Sequence, residues 1–345
     1  MRKIKVFLGG YINYTNAQNL NCRAVAEHID KRIFEVYALT IHFAKKEKYN
    51  AHTFHCFKPL RISQNIGFLW GIIRCDVAYL PKHIDTPFWV LKLSQALNKP
   101  VFTTIEGNVT NQKIPNLTAL FASTVRMQEY FNYVSQVFGI TEHIVNQTKS
   151  VLGIEREPLF LGVDRHRFTT KISNELKSIV FVGGLIKRKR VEQILILASN
   201  YPTIRFHIIG DGPERNKLES NASKNIEFYG ALSHNEINEI FEQSDLMFLP
   251  SESEGFPKVI LESASAGIPS IVYSTYGASD WIENRKNGFI AADLEEVKNI
   301  INRVLDNPKL LQNTSKNAVR LAEKFDWKNI IKNWERVIQN LYNER

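Results

Sequence analysis

The sequence predicts an α/β protein built from two doubly wound domains, each a parallel sheet covered by helices. Two observations carry this expectation. Both halves of the chain alternate short apolar runs with helix-length stretches, the rhythm of βαβ units. At 345 residues the chain also exceeds what one ordinary core organises. In the first half, apolar runs place strands near 3–8, 33–40, 75–80 and 100–105. A helix over about 16–30 has Thr15 or Asn16 as cap and Leu20, Ala24 and Ala26 among its apolar positions. In the second half, strands fall near 178–183, 204–209, 225–229, 245–249 and 269–273, with Val191, Ile194, Leu195 and Ala198 marking a helix between them. An amphipathic helix closes the chain from Phe325 to Tyr342, with Asp326 as its cap.

Composition narrows the class. The apolar fraction of 44% and charged fraction of 23% belong to a globular protein. The longest apolar run, Ile66–Ile73, is far short of a membrane span. The basic amino terminus lacks the apolar stretch of a signal peptide and reads as a first strand. Cys22, Cys56 and Cys75 are odd in number and lack metal or redox spacing, which favours a reducing cytoplasm. The net charge of +9 is uneven: residues 1–165 carry 20 Lys and Arg against 12 Asp and Glu, whereas residues 166–345 carry 24 against 23. A basic first half suits an anionic partner, and an anionic membrane surface is the one expected. The contact expected is the stretch around Ile66–Ile73, where Phe68, Leu69 and Trp70 lie close to Lys58, Arg61 and Arg74. A core helix is the ordinary alternative for those aromatics. Nucleic acid is not expected, because no helix-turn-helix, zinc-finger or aromatic-interleaved basic motif occurs.

The most informative stretch is Ser251-Glu-Ser-Glu-Gly-Phe-Pro-Lys-Val-Ile-Leu-Glu-Ser-Ala-Ser-Ala-Gly-Ile-Pro269. It follows a buried-strand pattern ending at Pro250. Pro257 suits the first position of a helix that runs to about Ala266 and stops at Gly267. Glu254 then lies in the strand-to-helix loop and Glu262 inside the helix. Backbone N–H groups of Gly255, Phe256, Lys258 and Val259 would face outward at the helix start, an arrangement that attracts phosphate. Two carboxylates bracketing such an end suit a ligand with both phosphate and hydroxyl groups. A surface loop with solvated acids is the plain alternative.

Glu254-x7-Glu262, opened as Glu-Gly-Phe-Pro, resembles the signature of retaining glycosyltransferase family 4, among the group 1 glycosyl transferases of GT-B fold. The resemblance runs from the first strand to the last helix and is strongest over about 158–300. It implies two Rossmann-like domains with a cleft between them and a terminal helix crossing back to the first. Gly162-Val-Asp164 with Phe168 is similar to the family's interdomain segment, although Leu161 stands where Asn is usual. The acceptor-side domain is therefore expected over 1–162 with 325–345 returning to it, and the donor-binding domain over 163–324.

Site roles follow from the resemblance. Glu262 would bind ribose hydroxyls, Glu254 would orient donor-sugar hydroxyls, and Lys189 would neutralise the diphosphate. Gly255, Phe256, Pro257 and Lys258 would form the phosphate-facing helix start. In Phe181-Val-Gly-Gly-Leu-Ile-Lys-Arg-Lys-Arg190, Gly184 occupies the place of the family's arginine and Arg190 that of its second glycine. Arg188 or Lys187 could compensate from the same loop; a run of solvated bases is the alternative. Glu106 stands where the family commonly has His, and could accept a hydroxyl hydrogen bond or stabilise an oxocarbenium-like sugar. Leu232, after the strand ending at Gly230, would hold the base through its backbone. Gly10, expected in a loop after the first strand, would allow close approach of a phosphate or acceptor. Gly210-Asp-Gly-Pro213 reads as a tight turn serving backbone geometry. No Asp-x-Asp occurs and the histidines, His234 included, show no ligand spacing, so neither a metal nor another cofactor is expected.

Together these imply a retaining, hexosyl-type transferase using a nucleotide-diphosphate sugar and a sugar or lipid-linked acceptor. Bacterial surface polysaccharide or glycolipid assembly at the cytoplasmic membrane face is the implied setting. A non-catalytic nucleotide-sugar-binding or scaffolding protein, or a nucleotide-sugar epimerase, stand as alternatives.

Overall fold

A computed structural model describes residues 2–44, 49–109, 117–121 and 123–345. The chain divides into two compact units, one ending at Leu161 and joined by Trp327–Arg345, the other spanning Gly162–Asp326.

The first unit contains β1 (Ile4–Tyr11), α1 (Ala17–His28), β2 (Phe34–Ile41), β3 (His52–Cys56), α2 (Leu60–Arg74), β4 (Val77–Tyr79) and α3 (Phe88–Ala96). It continues with β5 (Val101–Ile105), α4 (Leu117–Leu120), α5 (Thr124–Phe131), β6 (Gln136–Gly139) and α6 (Glu142–Leu152). Its six strands lie in the order β3-β2-β1-β4-β5-β6, and every pairing is parallel. Between Asn16 and Thr15, the structure selects Asn16 as cap of α1, its side chain accepting from the Asn19 amide at 2.8 Å.

The second unit contains β7 (Ser178–Val182), α7 (Glu192–Asn200), β8 (Arg205–Ile209), α8 (Arg215–Ser220), β9 (Ile226–Gly230) and α9 (His234–Glu242). There follow β10 (Leu246–Leu249), α10 (Lys258–Ser265), β11 (Ser270–Tyr273), β12 (Phe289–Ala291), α11 (Leu294–Asp306) and α12 (Pro308–Lys324). Its order, β12-β11-β10-β7-β8-β9, is the first sheet's order counted from the other edge, again with parallel pairings throughout. Both units are thus Rossmann-like, and the fold is GT-B. Strands β3, β6 and β12, absent from the sequence expectation, are all sheet edges. An edge strand needs less apolar sequence: β3 reads His-Thr-Phe-His-Cys, and only Cys56 is buried.

The last helix, α13 (Trp327–Asn343), belongs to the first unit. Trp334 is fully buried and meets Tyr79 edge-on at 5.0 Å and Phe102 at 6.1 Å. Its indole N–H donates to the Phe160 carbonyl at 3.0 Å, so the ring's one polar atom is satisfied. Trp334→Ala is expected to cost about 3–5 kcal/mol in denaturant unfolding, the range for emptying a buried aromatic site. A loss below about 1 kcal/mol would mean that α13 is not a structural part of this unit.

Candidate functional site

In an open parallel sheet, loops at the carboxyl ends of neighbouring strands part where the strand order reverses, leaving a crevice for ligand. In the second unit the reversal falls between β7 and β10. The loop after β7 forms a short turn over Lys187–Lys189, ending at Arg190 with φ 49°, ψ 40°. That left-handed backbone explains why glycine is the usual residue there and shows arginine tolerating it. Gly210 has φ 134°, and a Cβ on it would lie 1.9 Å from the Gly183 carbonyl oxygen, so the turn after β8 admits only glycine so close to the β7 loop. At Gly184, the place of the family's arginine, an added Cβ would find only the Asp211 carbonyl at 3.9 Å.

The β7 and β10 loops are stitched together. The Glu252 amide donates to the Arg188 carbonyl at 2.9 Å, and the Arg188 guanidinium donates to the Ser253 carbonyl. Lys189 Nζ donates to Glu254 Oε1, Arg188 Nη1 lies 3.6 Å from the same oxygen, and Arg190 pairs with Glu252 at 3.1 Å. The side chains of Lys189 and Glu254 are only 13% and 11% exposed. Their pairing is therefore a largely desolvated ion pair, for which losing one partner costs far more than for a surface pair. Tyr276 Oη, close enough to feel the Glu254 charge, and Ser251 Oγ are buried with no partner among the described residues. Burial, with the Glu254 charge adding to it, pushes the Tyr276 phenol well above its ordinary pKa, so it stays a neutral donor.

Helix α10 starts at Lys258, so Pro257 occupies the cap (φ −75°, ψ 95°) rather than the first helical position expected. The ring's fixed φ suits this extended residue equally well. The helix ends at Ser265, and Gly267 takes the left-handed stop with φ 82°. Phe256 is buried against Trp281 and Phe325, at ring distances of 5.8 and 5.6 Å, anchoring the loop in the core. Gly255 and Lys258 remain partly accessible. Glu262 Oε1 lies 3.5 Å from His234 Nε2. His234, set aside by the sequence reading, opens α9 directly after Ser233, whose side chain and Glu236 form a capping box. That box, Ser-x-x-Glu, is the sequence signal that could have located this helix start. Leu232 is half-buried in the turn before it.

In the first unit, Gly10 departs from expectation. It lies within β1, not in a loop after it, and a Cβ there would sit 2.8 Å from Cys22 Sγ and 3.2 Å from Asn19 Oδ1. Its missing side chain makes room for α1. Glu106 follows β5 and accepts from Asn21 Nδ2 at 2.8 Å and Thr104 Oγ1 at 3.3 Å. The Tyr79 hydroxyl joins through Thr104 at 2.6 Å, and burial with the Glu106 charge raises its pKa well above normal. Glu106 is thus a fixed acceptor in a buried polar network at the carboxyl edge of the sheet.

Comparisons with known proteins agree with this architecture. Residues 163–320 match the family described as "Glycosyl transferases group 1". A curated relative from Haemophilus influenzae, an uncharacterized glycosyltransferase, is 27% identical over 175 residues, 48% of this chain and 49% of that protein. The chain thus spans about half the length of that curated relative. Among solved structures, sucrose-phosphate synthase from Thermosynechococcus elongatus superposes with a TM-score of 0.83 at 15% identity, covering 100% of both chains. Anabaena HepE in complex with UDP-glucose gives 0.76 at 16% identity over 98% of this chain and 100% of that one. At such identities these two structures show the shared fold. The sequence match thus falls within the Gly162–Asp326 unit, which resembles the group 1 glycosyl transferases, and the chain as a whole has the GT-B fold.

Proposed function

We propose that this protein is a retaining glycosyltransferase that moves a hexosyl group from a nucleotide-diphosphate sugar to an acceptor hydroxyl. The observation that carries the reading is the meeting of Lys189, Arg188 and Glu254 where the order of the second sheet reverses. A diphosphate brings negative charge to that crevice, and fixed cations stabilise the further charge that develops as it leaves. Lys189 turns from Glu254 to the diphosphate, with Arg188 supplying a second cation in the place left open at Gly184. Glu254, released, accepts hydrogen bonds from donor-sugar hydroxyls. Glu262 takes the ribose hydroxyls, Leu232 the base, and the amides of Gly255, Phe256 and Lys258 face the phosphates. Glu106 receives a hydroxyl on the acceptor side. None of these groups is placed as a nucleophile, so the acceptor attacks from the face the phosphate leaves, with retention. The HepE complex supports a nucleotide-sugar donor, since that protein of the same fold holds UDP-glucose. The acceptor is read as a sugar or lipid-linked sugar of bacterial surface polysaccharide or glycolipid, met at the inner face of the cell membrane. The positive excess of residues 1–165 supports that setting.

Three outcomes test the reading. Glu262→Ala is expected to weaken nucleoside diphosphate binding by about 1–3 kcal/mol in calorimetry, the range for lost charge-assisted hydrogen bonds. Unchanged affinity in a folded variant removes Glu262 from the site. Glu254→Gln leaves Lys189 free for phosphate, so UDP should bind more tightly, by roughly tenfold, while donor turnover falls. Weaker UDP binding would show that Lys189 does not change partners. Because basic side chains and the helix start supply the positive potential, transfer should persist in chelator. A magnesium-reversible loss would contradict this account of how phosphate is held.

A further inference from the structure

Helix α2 is apolar on two opposite faces. Ser63, Gly67, Phe68, Gly71 and Ile72 are buried against the first unit's sheet. On the other side Ile62, Ile66, Leu69 and Ile73 are 58%, 44%, 40% and 53% exposed. At about 100° per residue these four fall within an arc of roughly 60° on the helix, opposite the buried face. A surface helix ordinarily turns polar residues that way. The patch extends past the helix: Trp89 Nε1 donates to Asn65 Oδ1 at 3.3 Å, and Gln64 Nε2 donates to the Asp85 carbonyl at 3.3 Å. These bonds hold Ile84 and Trp89, 64% and 39% exposed, beside α2. Phe68, expected from sequence to be an anchor, is instead fully buried, and Trp70 packs on Tyr37 and Phe54 beneath the Arg74 guanidinium.

Charge along α2 and the strand before it is one-sided, and the one acid beside Ile84, Asp85, is paired with Lys82 at 3.4 Å. From His52 to Cys75 the chain holds no Asp or Glu, while Lys58, Arg61 and Arg74 are exposed. Arg61 immediately precedes Ile62 and Arg74 immediately follows Ile73, so the two guanidinium groups flank the stripe on opposite sides. We propose that this face docks on an anionic lipid bilayer. Ile62, Ile66, Leu69 and Ile73 enter the headgroup–acyl boundary, and Lys58, Arg61 and Arg74 lie at phosphate level. A second copy of the chain fits less well. A two-fold contact brings the same three bases against their own images, and the segment offers no acid to pair with them. The proposal concerns a face of the first unit alone and goes beyond the reaction proposed above without resting on it.

The test is flotation of the full chain with phosphatidylcholine vesicles, with or without phosphatidylglycerol, at low and raised salt. Two double variants accompany it, Ile66→Glu with Leu69→Glu and Arg61→Gln with Arg74→Gln. All the altered side chains are exposed, and thermal unfolding checks that each variant folds. The unaltered chain should float with phosphatidylglycerol vesicles and be released by salt. Either double variant should lower vesicle partitioning by about tenfold or more. Failure of the unaltered chain to float, or equal flotation of folded variants, overturns the proposal. A dimer in size-exclusion chromatography that the Ile66→Glu, Leu69→Glu pair dissolves would assign the face to a second copy and overturn it as well.

Discussion

The arrangement of the second unit rests on one chain of backbone contacts that ends in an ion pair. The Gly210 amide donates to the Gly230 carbonyl at 2.7 Å, the Leu185 amide to the Asp211 carbonyl at 2.9 Å, and the Glu252 amide to the Arg188 carbonyl at 2.9 Å. The turn after β9 thus supports the turn after β8, which supports the β7 loop, which holds the β10 loop. Lys189 and Glu254 close the series. Backbone groups drawn partly out of water need partners, and here they find them in neighbouring turns and loops. The positions of the charges are therefore set by the sheet and not by the loops' own preferences.

This construction has an electrostatic consequence. A carboxylate and an ammonium that are mostly withdrawn from water are held because each satisfies the other, with the Arg188 guanidinium adding to the carboxylate's stabilisation. The Tyr276 hydroxyl near Glu254 and the buried Ser251 hydroxyl have no partner among the described residues, which is the kind of deficit a bound ligand repairs. In the reading proposed here, an incoming diphosphate exchanges one partner for another and does not meet a bare cation. Glu106 obeys the same logic in the first unit, where Asn21 and Thr104 fix its carboxylate before any ligand arrives.

Central strands were legible in the sequence because strands covered on both faces read as continuous apolar runs, as Leu-Met-Phe-Leu in β10 does. Three of the four edge strands were not, since β3, β6 and β12 are short or half-polar, whereas the edge strand β9 was. The helix-turn chemistry was mostly readable: Gly267 stops α10 as its sequence suggests, whereas Pro257 caps that helix instead of beginning it. Gly10 was misplaced because a glycine that admits a helix against a strand looks, in sequence, like one that admits a ligand. Neither the Lys189–Glu254 pair, 65 positions apart, nor the His234–Glu262 pair, which joins two helices, leaves any local pattern. Both become visible only once the strand order brings the segments that carry them together.

The central claim is that this chain cleaves a nucleotide-diphosphate sugar with retention. The most direct measurement is proton NMR of the purified protein with α-linked UDP- and GDP-sugars, following both nucleoside diphosphate release and the first anomer set free. The account predicts slow release from at least one donor, with the α anomer appearing before mutarotation. First appearance of the β anomer would contradict retention, and no release from any donor would contradict catalysis itself.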